Sequence, residues 1–389
     1  MRVFVPAETR PGERRVAILP DVVGRLTKLQ LEVAIESGAG EAAFASDDAY
    51  RAAGADVVAA GDAAAGVAAA DLTASVRPLP KELASQVKSS AVVLSFLQPG
   101  ADLELIRTIS DRQASALSFD LIPRISRAQS MDALTSQALV TGYRASLVAA
   151  ELLPKFFPLF MTAAGTIPPA KVLVLGAGVA GLQAIATAKR LGAKVSAYDV
   201  RPASADEVKS MGGTFITLDL DVIEGSGGYA REMSEDRAAR QQQLLAPYLA
   251  ESDAVITTAA VPGRQAPLLV TEEMIAGMRP GAVVVDLASE SGGNVAGSRP
   301  GEVVDQGGVR IWGAQDVASS MPVHASQLYA MNVAAVTTLI TDDGQIHLDV
   351  DDEIVAGAAV VLNGEVRQPI AREALGLPAL AEPDSEGAA

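Results

Sequence analysis

The 389-residue chain has no cysteine, two histidines, one tryptophan, and aromatic side chains at only 4% of its positions. Without thiols there is no disulfide, no thiolate nucleophile and no iron–sulfur cluster. With His324 and His347 as the only imidazoles, neither a histidine-built metal site nor a Ser/His/Asp triad is expected, and no metal is assigned. Basic residues are the minority: 31 Lys and Arg against 47 Asp and Glu give a net charge of −16. Such a surface repels phosphate backbones and anionic lipid, which argues against nucleic-acid partners and polybasic membrane contacts. Long clean apolar runs are also missing. Prolines at 158, 168 and 169 break the stretch 156–170, and Gly176, Gly178, Gly181 and Gln183 interrupt 172–188. A spanning helix needs about 20 apolar residues, so no direct membrane insertion is expected. The first ten residues read as a strand and a polar loop without a signal-peptide core, which fits a cytoplasmic-type protein.

What the chain does have is apolar mass, 49% hydrophobic against 20% charged, enough to bury a sizeable core. The length fits two to three domains at roughly 100–200 residues each. In the N-terminal region, strand-type runs at 3–5, 31–35, 72–76, 91–97 and 114–119 alternate with helical segments such as 20–29, 81–87 and 102–109. Such alternation predicts a parallel sheet covered on both faces. Residues 126–153 carry good helix formers, one glycine (Gly142) and no proline, and read as a helix bridging two domains. A second series follows, with strands expected at 172–175, 195–199, 214–217, 254–258, 282–287 and 309–312. Residues 324–340 read as a long helix that returns the chain to the first domain. The stretch 346–367 reads as a β-hairpin turning at Asn363-Gly364, and 382–389 reads as frayed. The expected fold is α/β, with two doubly wound, Rossmann-like parallel-sheet domains, the second inserted into the first. The expected bounds are 1–125 with 325–389 for the first domain and 126–324 for the second.

The sharpest motif is Lys171-Val-Leu-Val-Leu-Gly176-Ala-Gly178-Val179-Ala180-Gly181, a strand running into Gly-x-Gly-x-x-Gly and then an amphipathic helix. In this pattern Gly176 permits a tight turn, Gly178 lets the backbone approach a pyrophosphate, and Gly181 lets helix and strand pack closely. The diphosphate sits on the helix N-terminus, where amide groups lack partners and the dipole is positive. Asp199 follows 23 residues after Gly176, at the end of a second strand, where its carboxylate accepts from ribose hydroxyls and repels a 2′-phosphate. That selects NAD(H). Arg201 is the one feature that argues for NADP(H); with Asp199 in place it is read as an adenine-side contact or a solvated charge. The competing reading of the motif is a packing turn followed by a surface aspartate.

These residues, with the opening from Val5 to Ala17, the segment from Pro123 to Asp132, and the stretches 257–263 and 286–294, resemble the alanine dehydrogenase/transhydrogenase family. The likeness is strongest to the NAD(H)-binding α component of proton-translocating transhydrogenase. It implies cofactor contacts from Gly176, Gly178, Val179, Ala180, Gly181, Asp199, Val200, Arg201, Tyr229, Thr258 and Ala259. It also implies that Arg124 and Asp132 orient the nicotinamide and its ribose, while Gln129 reaches a second nucleotide, NADP(H), on a partner protein. Gln129 has another reading, because Ser126 to Gln129 forms a capping-box pattern. In the family the run 224–230 is a mobile loop whose Tyr229 covers the nucleotide; the alternative is an ordinary surface loop. Tyr143 lines the site or packs its helix.

The resemblance also separates two chemistries. The alanine dehydrogenase branch needs a proton shuttle and a cation for the substrate carboxylate, and its lysine and histidine fall near 73–75 and 94–97. This chain has Thr73-Ala74-Ser75 and Leu94-Ser95-Phe96-Leu97 there, and retains only Arg15, whose other role would be an ion pair with Glu8 or Glu13. Hydride exchange between two nicotinamides needs no such shuttle. The implied activity is therefore NAD(P)⁺ transhydrogenation, with NADP(H)-binding and membrane-spanning partner subunits, a homodimer, and a location peripheral to the membrane. The alternatives are an NAD-dependent alanine dehydrogenase and a non-catalytic NAD(H)-binding module.

Overall fold

A computed structural model describes residues 1–220, 235–260 and 265–380. The chain divides into two compact units: unit 1 is Met1–Gln137 with Ser319–Ala389, and unit 2 is Ala138–Ala318. The second is thus inserted into the first. The first division falls inside the long helix, later than the 125/126 read from the sequence, and the second at 318/319 rather than 324/325.

Unit 1 begins with β1 (Arg2–Val5), α1 (Pro20–Lys28), β2 (Glu32–Glu36), α2 (Asp47–Ala52), β3 (Asp56–Val58), α3 (Ala63–Ala69), β4 (Leu72–Ala74), α4 (Lys81–Ala84), β5 (Val92–Ser95), α5 (Leu103–Asp111) and β6 (Ser115–Ser118). Helix starts follow local chemistry. Pro20 opens α1, the Ser46 hydroxyl accepts from the Ala49 amide at α2, and the Asp102 carboxylate accepts from the Leu105 amide at α5. A 3₁₀ helix, Ser126–Met131, then leads to α6 (Ala133–Leu152).

Unit 2 carries β7 (Phe160–Thr162), β8 (Gly165–Ile167), β9 (Lys171–Leu175), α7 (Val179–Arg190), β10 (Lys194–Tyr198), α8 (Ser204–Ser210), β11 (Thr214–Phe215), α9 (Glu235–Glu251), β12 (Ala254–Thr257), α10 (Glu272–Ala276), β13 (Val283–Asp286), β14 (Val303–Gln306) and β15 (Val309–Gly313). The return to unit 1 runs through α11 (Pro322–Leu339), β16 (Thr341–Asp342), β17 (Gln345–Ile346), α12 (Glu353–Ala358), β18 (Ala359–Leu362), β19 (Glu365–Val366) and α13 (Pro369–Ala374).

The main sheet of unit 1 has the order β19-β18-β6-β5-β4-β1-β2-β3, parallel from β3 to β6, with β18 and β19 added antiparallel. That of unit 2 has the order β11-β10-β9-β12-β13-β15-β14, parallel except for β14. Each sheet is buried on both faces. Val3 and Val5 enter one apolar cluster while Phe4 enters another, and in unit 2 Val172 and Val174 are divided from Leu173 and Leu175 in the same way. Two buried faces explain why these strands read as unbroken apolar runs.

Three local expectations are corrected. The helix expected over 126–153 is interrupted at Asp132, whose carboxylate accepts from the Thr135 amide (2.9 Å) and hydroxyl (2.6 Å) and starts α6 afresh. The hairpin expected over 346–367 is confined to β18 and β19, because Asp352 accepts from the Ile354 and Val355 amides and nucleates α12 ahead of it. The strand expected at 214–217 is reduced to the two residues of β11 at the sheet edge. The β7–β8 hairpin and the antiparallel β14 fall outside the sequence reading altogether. Residues 224–230 with Tyr229, the stretch 261–263, and 382–389 lie outside the described residues.

Candidate functional site

In unit 2 the order of strands leaving β9 reverses: β10 and β11 lie on one side, β12, β13 and β15 on the other. Ligands of doubly wound sheets bind in the crevice at the carboxyl ends of the strands at such a switch point. Here the switch point lies where the turn after β9, at Gly176, meets the loop after β12, at Thr258.

The glycines of the turn each meet a different constraint. Gly176 has a φ of +101°, and a Cβ there would stand 2.5 Å from the Thr258 Oγ1. A Cβ on Gly181 would lie 1.9 Å from the Gly176 carbonyl oxygen, so α7 can approach the turn only without one. Gly178 is the opposite case: it is the N-cap of α7, exposed, with nothing within 4 Å of a built Cβ. That open space lies beside the first amides of a twelve-residue helix, where donors lack intrahelical partners. The site therefore fits a diphosphate-bearing nucleotide. Val179 is exposed and Ala180 half-buried at the same helix start. A fourth glycine, not assigned from the sequence, completes the packing. A Cβ on Gly142 of α6 would meet the Ala180 carbonyl oxygen at 2.0 Å, and the Ser146 hydroxyl donates to the Ala184 carbonyl (2.8 Å) one helical turn further on.

Asp199 follows β10, with its carboxyl almost buried at 8% exposure. Its Oδ2 accepts from the Ala177 amide of the turn (2.7 Å), and its Oδ1 accepts from the Arg201 amide (2.9 Å) and Nε (3.0 Å). Arg201 therefore curls back on Asp199 instead of extending as a solvated charge, and the intervening Val200 is half-buried. On the other wall the Thr258 hydroxyl donates to the Gly176 carbonyl (3.1 Å). Ala259 is gripped by Asn294, whose Oδ1 accepts from the Ala259 amide (3.0 Å) and whose Nδ2 donates to its carbonyl (2.8 Å).

Arg124, Gln129 and Asp132 belong to unit 1. Arg124 and Gln129 are exposed; Asp132 is half-buried and caps α6. Their segment is held by its surroundings: Arg127 forms a two-point pair with Asp352 (2.6 and 3.1 Å), and the Asn332 amide donates to the Ser130 carbonyl (2.8 Å). The capping role weighed for Gln129 falls instead to Asp132. Tyr143 is 38% exposed on α6.

The positions that would carry amino-acid chemistry are occupied otherwise. Ser75 is 2% exposed and donates to the Arg77 carbonyl, and Phe96 packs its ring against Phe119 and Tyr329. Arg15 is 5% exposed and holds Glu13 at two points, Nε to Oε1 (2.7 Å) and Nη2 to Oε2 (2.6 Å), while its Nη1 donates to Gln137 (2.9 Å). Arg77 (2.6 Å) and Ser319 (2.7 Å) also donate to Glu13. Arg15 and these partners hold the Glu13 carboxyl at about 2 against its own burial. Nearby, a cleft of about 440 Å³ opens at the carboxyl ends of β1 and β4, walled by Glu8, Arg10, Arg77 and Gln98. Burial, reinforced by the Glu13 charge, pushes the Glu8 carboxyl up to about 7, although the Val76 and Arg77 amides donate to it. His324 and His347 are both exposed. Among the described residues no cluster of three or more His, Asp or Glu is placed to hold a metal ion, and no helix is long and apolar enough to cross a membrane.

The chain is similar to known proteins over most of its length. Residues 4–141 match the family described as Alanine dehydrogenase/PNT, N-terminal domain, and 145–369 match Alanine dehydrogenase/PNT, C-terminal domain. A Rhodospirillum rubrum protein named as the first portion of NAD(P) transhydrogenase subunit alpha is 44% identical over 379 residues, covering 95% of this chain and 98% of that protein. The crystal structure of transhydrogenase from Sinorhizobium meliloti superposes with a TM-score of 0.84 at 42% identity, covering 94% of this chain and all of that one. Alanine dehydrogenase of Mycobacterium tuberculosis is more distant, 32% identical over 77% of this chain and 76% of that protein.

Proposed function

The chain belongs to the alanine dehydrogenase/PNT family, and on that premise we propose that it is the NAD(H)-binding component of a proton-translocating transhydrogenase. The observation that carries the reading is the Gly176-Gly178-Gly181 turn at the switch point of unit 2, with Asp199 closing it on the β10 side. The α7 N-terminus would take the pyrophosphate, and Asp199 the adenosine ribose hydroxyls. Arg201 donates to both oxygens of Asp199, so its charge is already countered rather than offered to a 2′-phosphate. That favours NAD(H) over NADP(H).

Bound NAD(H) supplies a carbon that gives or accepts hydride, so that NADH and NADP⁺ become NAD⁺ and NADPH. Direct exchange moves no proton through a side chain. It requires the rings to be oriented and water to be kept out. Buried Ser75 and Phe96, and the sequestration of Arg15 by Glu13, fit that requirement and disfavour alanine dehydrogenation. Arg124 and Asp132 would orient the nicotinamide end. Gln129, exposed on the 3₁₀ helix, would reach the NADP(H) of a partner subunit. Coupling to proton translocation would lie in membrane-spanning partners, with this chain docked on them from the cytoplasmic side.

The reading includes a homodimer. Phe156, Leu159, Phe160, Met161 and Ile167 are exposed on and beside the β7–β8 hairpin, and 156–170 holds no charged residue. Two chains of net charge −16 can meet there without bringing like charges together.

Fluorescence titration tests the nucleotide assignment. NADH should bind at least tenfold more tightly than NADPH, and Asp199→Asn should narrow the gap. Equal affinity of the native chain for both nucleotides would contradict it.

A further inference from the structure

We infer that Asn294 is a positioning residue for the nicotinamide half of the bound nucleotide, acting through the Thr258–Ala259 loop; this rests on NAD(H) being the ligand of unit 2. The device starts at Asp286, the last residue of β13, which is fully buried. Its carboxylate accepts from the Thr257 hydroxyl (3.1 Å), the Ala288 amide (3.0 Å) and the Asn294 amide (3.2 Å to each oxygen). These bonds fold 287–294 back over the strand end. The return requires Gly293: its φ is +81°, and a Cβ there would stand 2.9 Å from Asp286 Oδ2. Asp286 thus fixes where the next residue projects.

That residue, Asn294, is itself fully buried, and its side-chain amide is directed entirely at backbone. Oδ1 accepts from the Ala259 N–H, while Nδ2 donates to the Ala259 and Pro267 carbonyls (2.8 Å each). Pairing with both the N–H and the C=O of one residue holds the two peptide planes that flank Ala259, as a ladder partner would. Ala259 follows Thr258, whose hydroxyl reaches the Gly176 carbonyl. The clamp therefore holds the β12 wall of the crevice against the glycine turn. Asn294 has no atom left to touch a ligand, and it acts through Ala259. Because β12 and β13 lie across the switch point from β10 and the Asp199 that follows it, the clamp serves the half of the nucleotide opposite the adenosine.

Asn294→Asp tests this without a change of shape. It puts a carboxylate oxygen where Nδ2 faced two carbonyls, so like partial charges confront each other in a buried place. The full chain is titrated with NADH and, separately, with 5′-AMP as a probe of the adenosine half. The expected result is at least a tenfold loss of NADH affinity with 5′-AMP held within twofold. A general loss of structure would instead weaken both ligands together. Asn294→Ala, which adds no charge, carries the same expectation at smaller size and serves if the aspartate variant does not fold. An unchanged NADH affinity, or parallel losses for both ligands, overturns the role of Asn294. Failure of the native chain to bind NADH overturns the nucleotide reading itself.

Discussion

Replacing Glu13 by glutamine isolates the buried charge cluster that occupies Arg15. The Glu13 side chain is fully buried and accepts from Arg15, Arg77, Ser319 and the Arg14 and Arg15 amides. Its carboxyl sits at about 2 rather than 4.5. At 1.36 kcal/mol per tenfold change in proton affinity, this corresponds to roughly 3 kcal/mol of stability at neutral pH. Breaking a buried ion pair from one side independently suggests about 3–5 kcal/mol, because Arg15 is left buried without a counter-charge. Glutamine keeps one acceptor oxygen but turns an NH₂ toward guanidinium donors, so the expected loss is about 3 kcal/mol. The sign with pH follows from the lowered value. The native contribution is complete above about pH 4.5 and fades as the pH falls toward 2. Urea denaturation followed by circular dichroism should therefore show Glu13→Gln destabilised at pH 7, with the difference shrinking through the acid range. Adding Arg15→Met should recover some of the loss. A variant within about 0.5 kcal/mol of the native chain at pH 7 would refute the reasoning.

Glu8 titrates in the other direction: a carboxyl raised to about 7 contributes stability below about pH 4.5 and loses it as the pH rises through 7. Glu8→Gln, which mimics the neutral acid, should be more stable than the native chain at pH 8 by on the order of 3 kcal/mol and nearly equal at pH 4.5, as urea midpoints at the two values will report. Gly142→Ala drives a methyl group into the Ala180 carbonyl at the start of α7. It should cost about 1–3 kcal/mol of stability and weaken NADH binding at least tenfold. Native NADH affinity in that variant would show that α6 does not set the turn.

The sequence discloses what is written in local pattern and loses what depends on distant partners. Doubly covered parallel strands appear as apolar runs, so both α/β series could be placed, and the three glycines carried their separate roles before any geometry. The β7–β8 hairpin has the composition of a core strand although its residues are exposed, so residue type could not reveal it. Asp132 reads as a site residue, yet its visible work is to cap α6, which becomes apparent only once the helix is seen to break there. The stretch 286–294 stood out as a motif. The target of the Asn294 amide, 35 residues away on the β12 loop, emerges only when β13 is laid beside β12. Arg15 makes the same point: its two candidate partners lie seven and two residues before it in the sequence, and only the two-point geometry selects Glu13.

Hydride transfer from NADH to NADP⁺, followed by the absorbance of a nicotinamide analogue, tests the transhydrogenase assignment most directly. The purified chain is measured alone, with an NADP(H)-binding transhydrogenase subunit, and with pyruvate plus ammonium. Exchange is expected only when the NADP(H)-binding subunit is present, and should be lost on Gln129 substitution. Oxidation of NADH by the chain with pyruvate and ammonium alone would contradict that assignment.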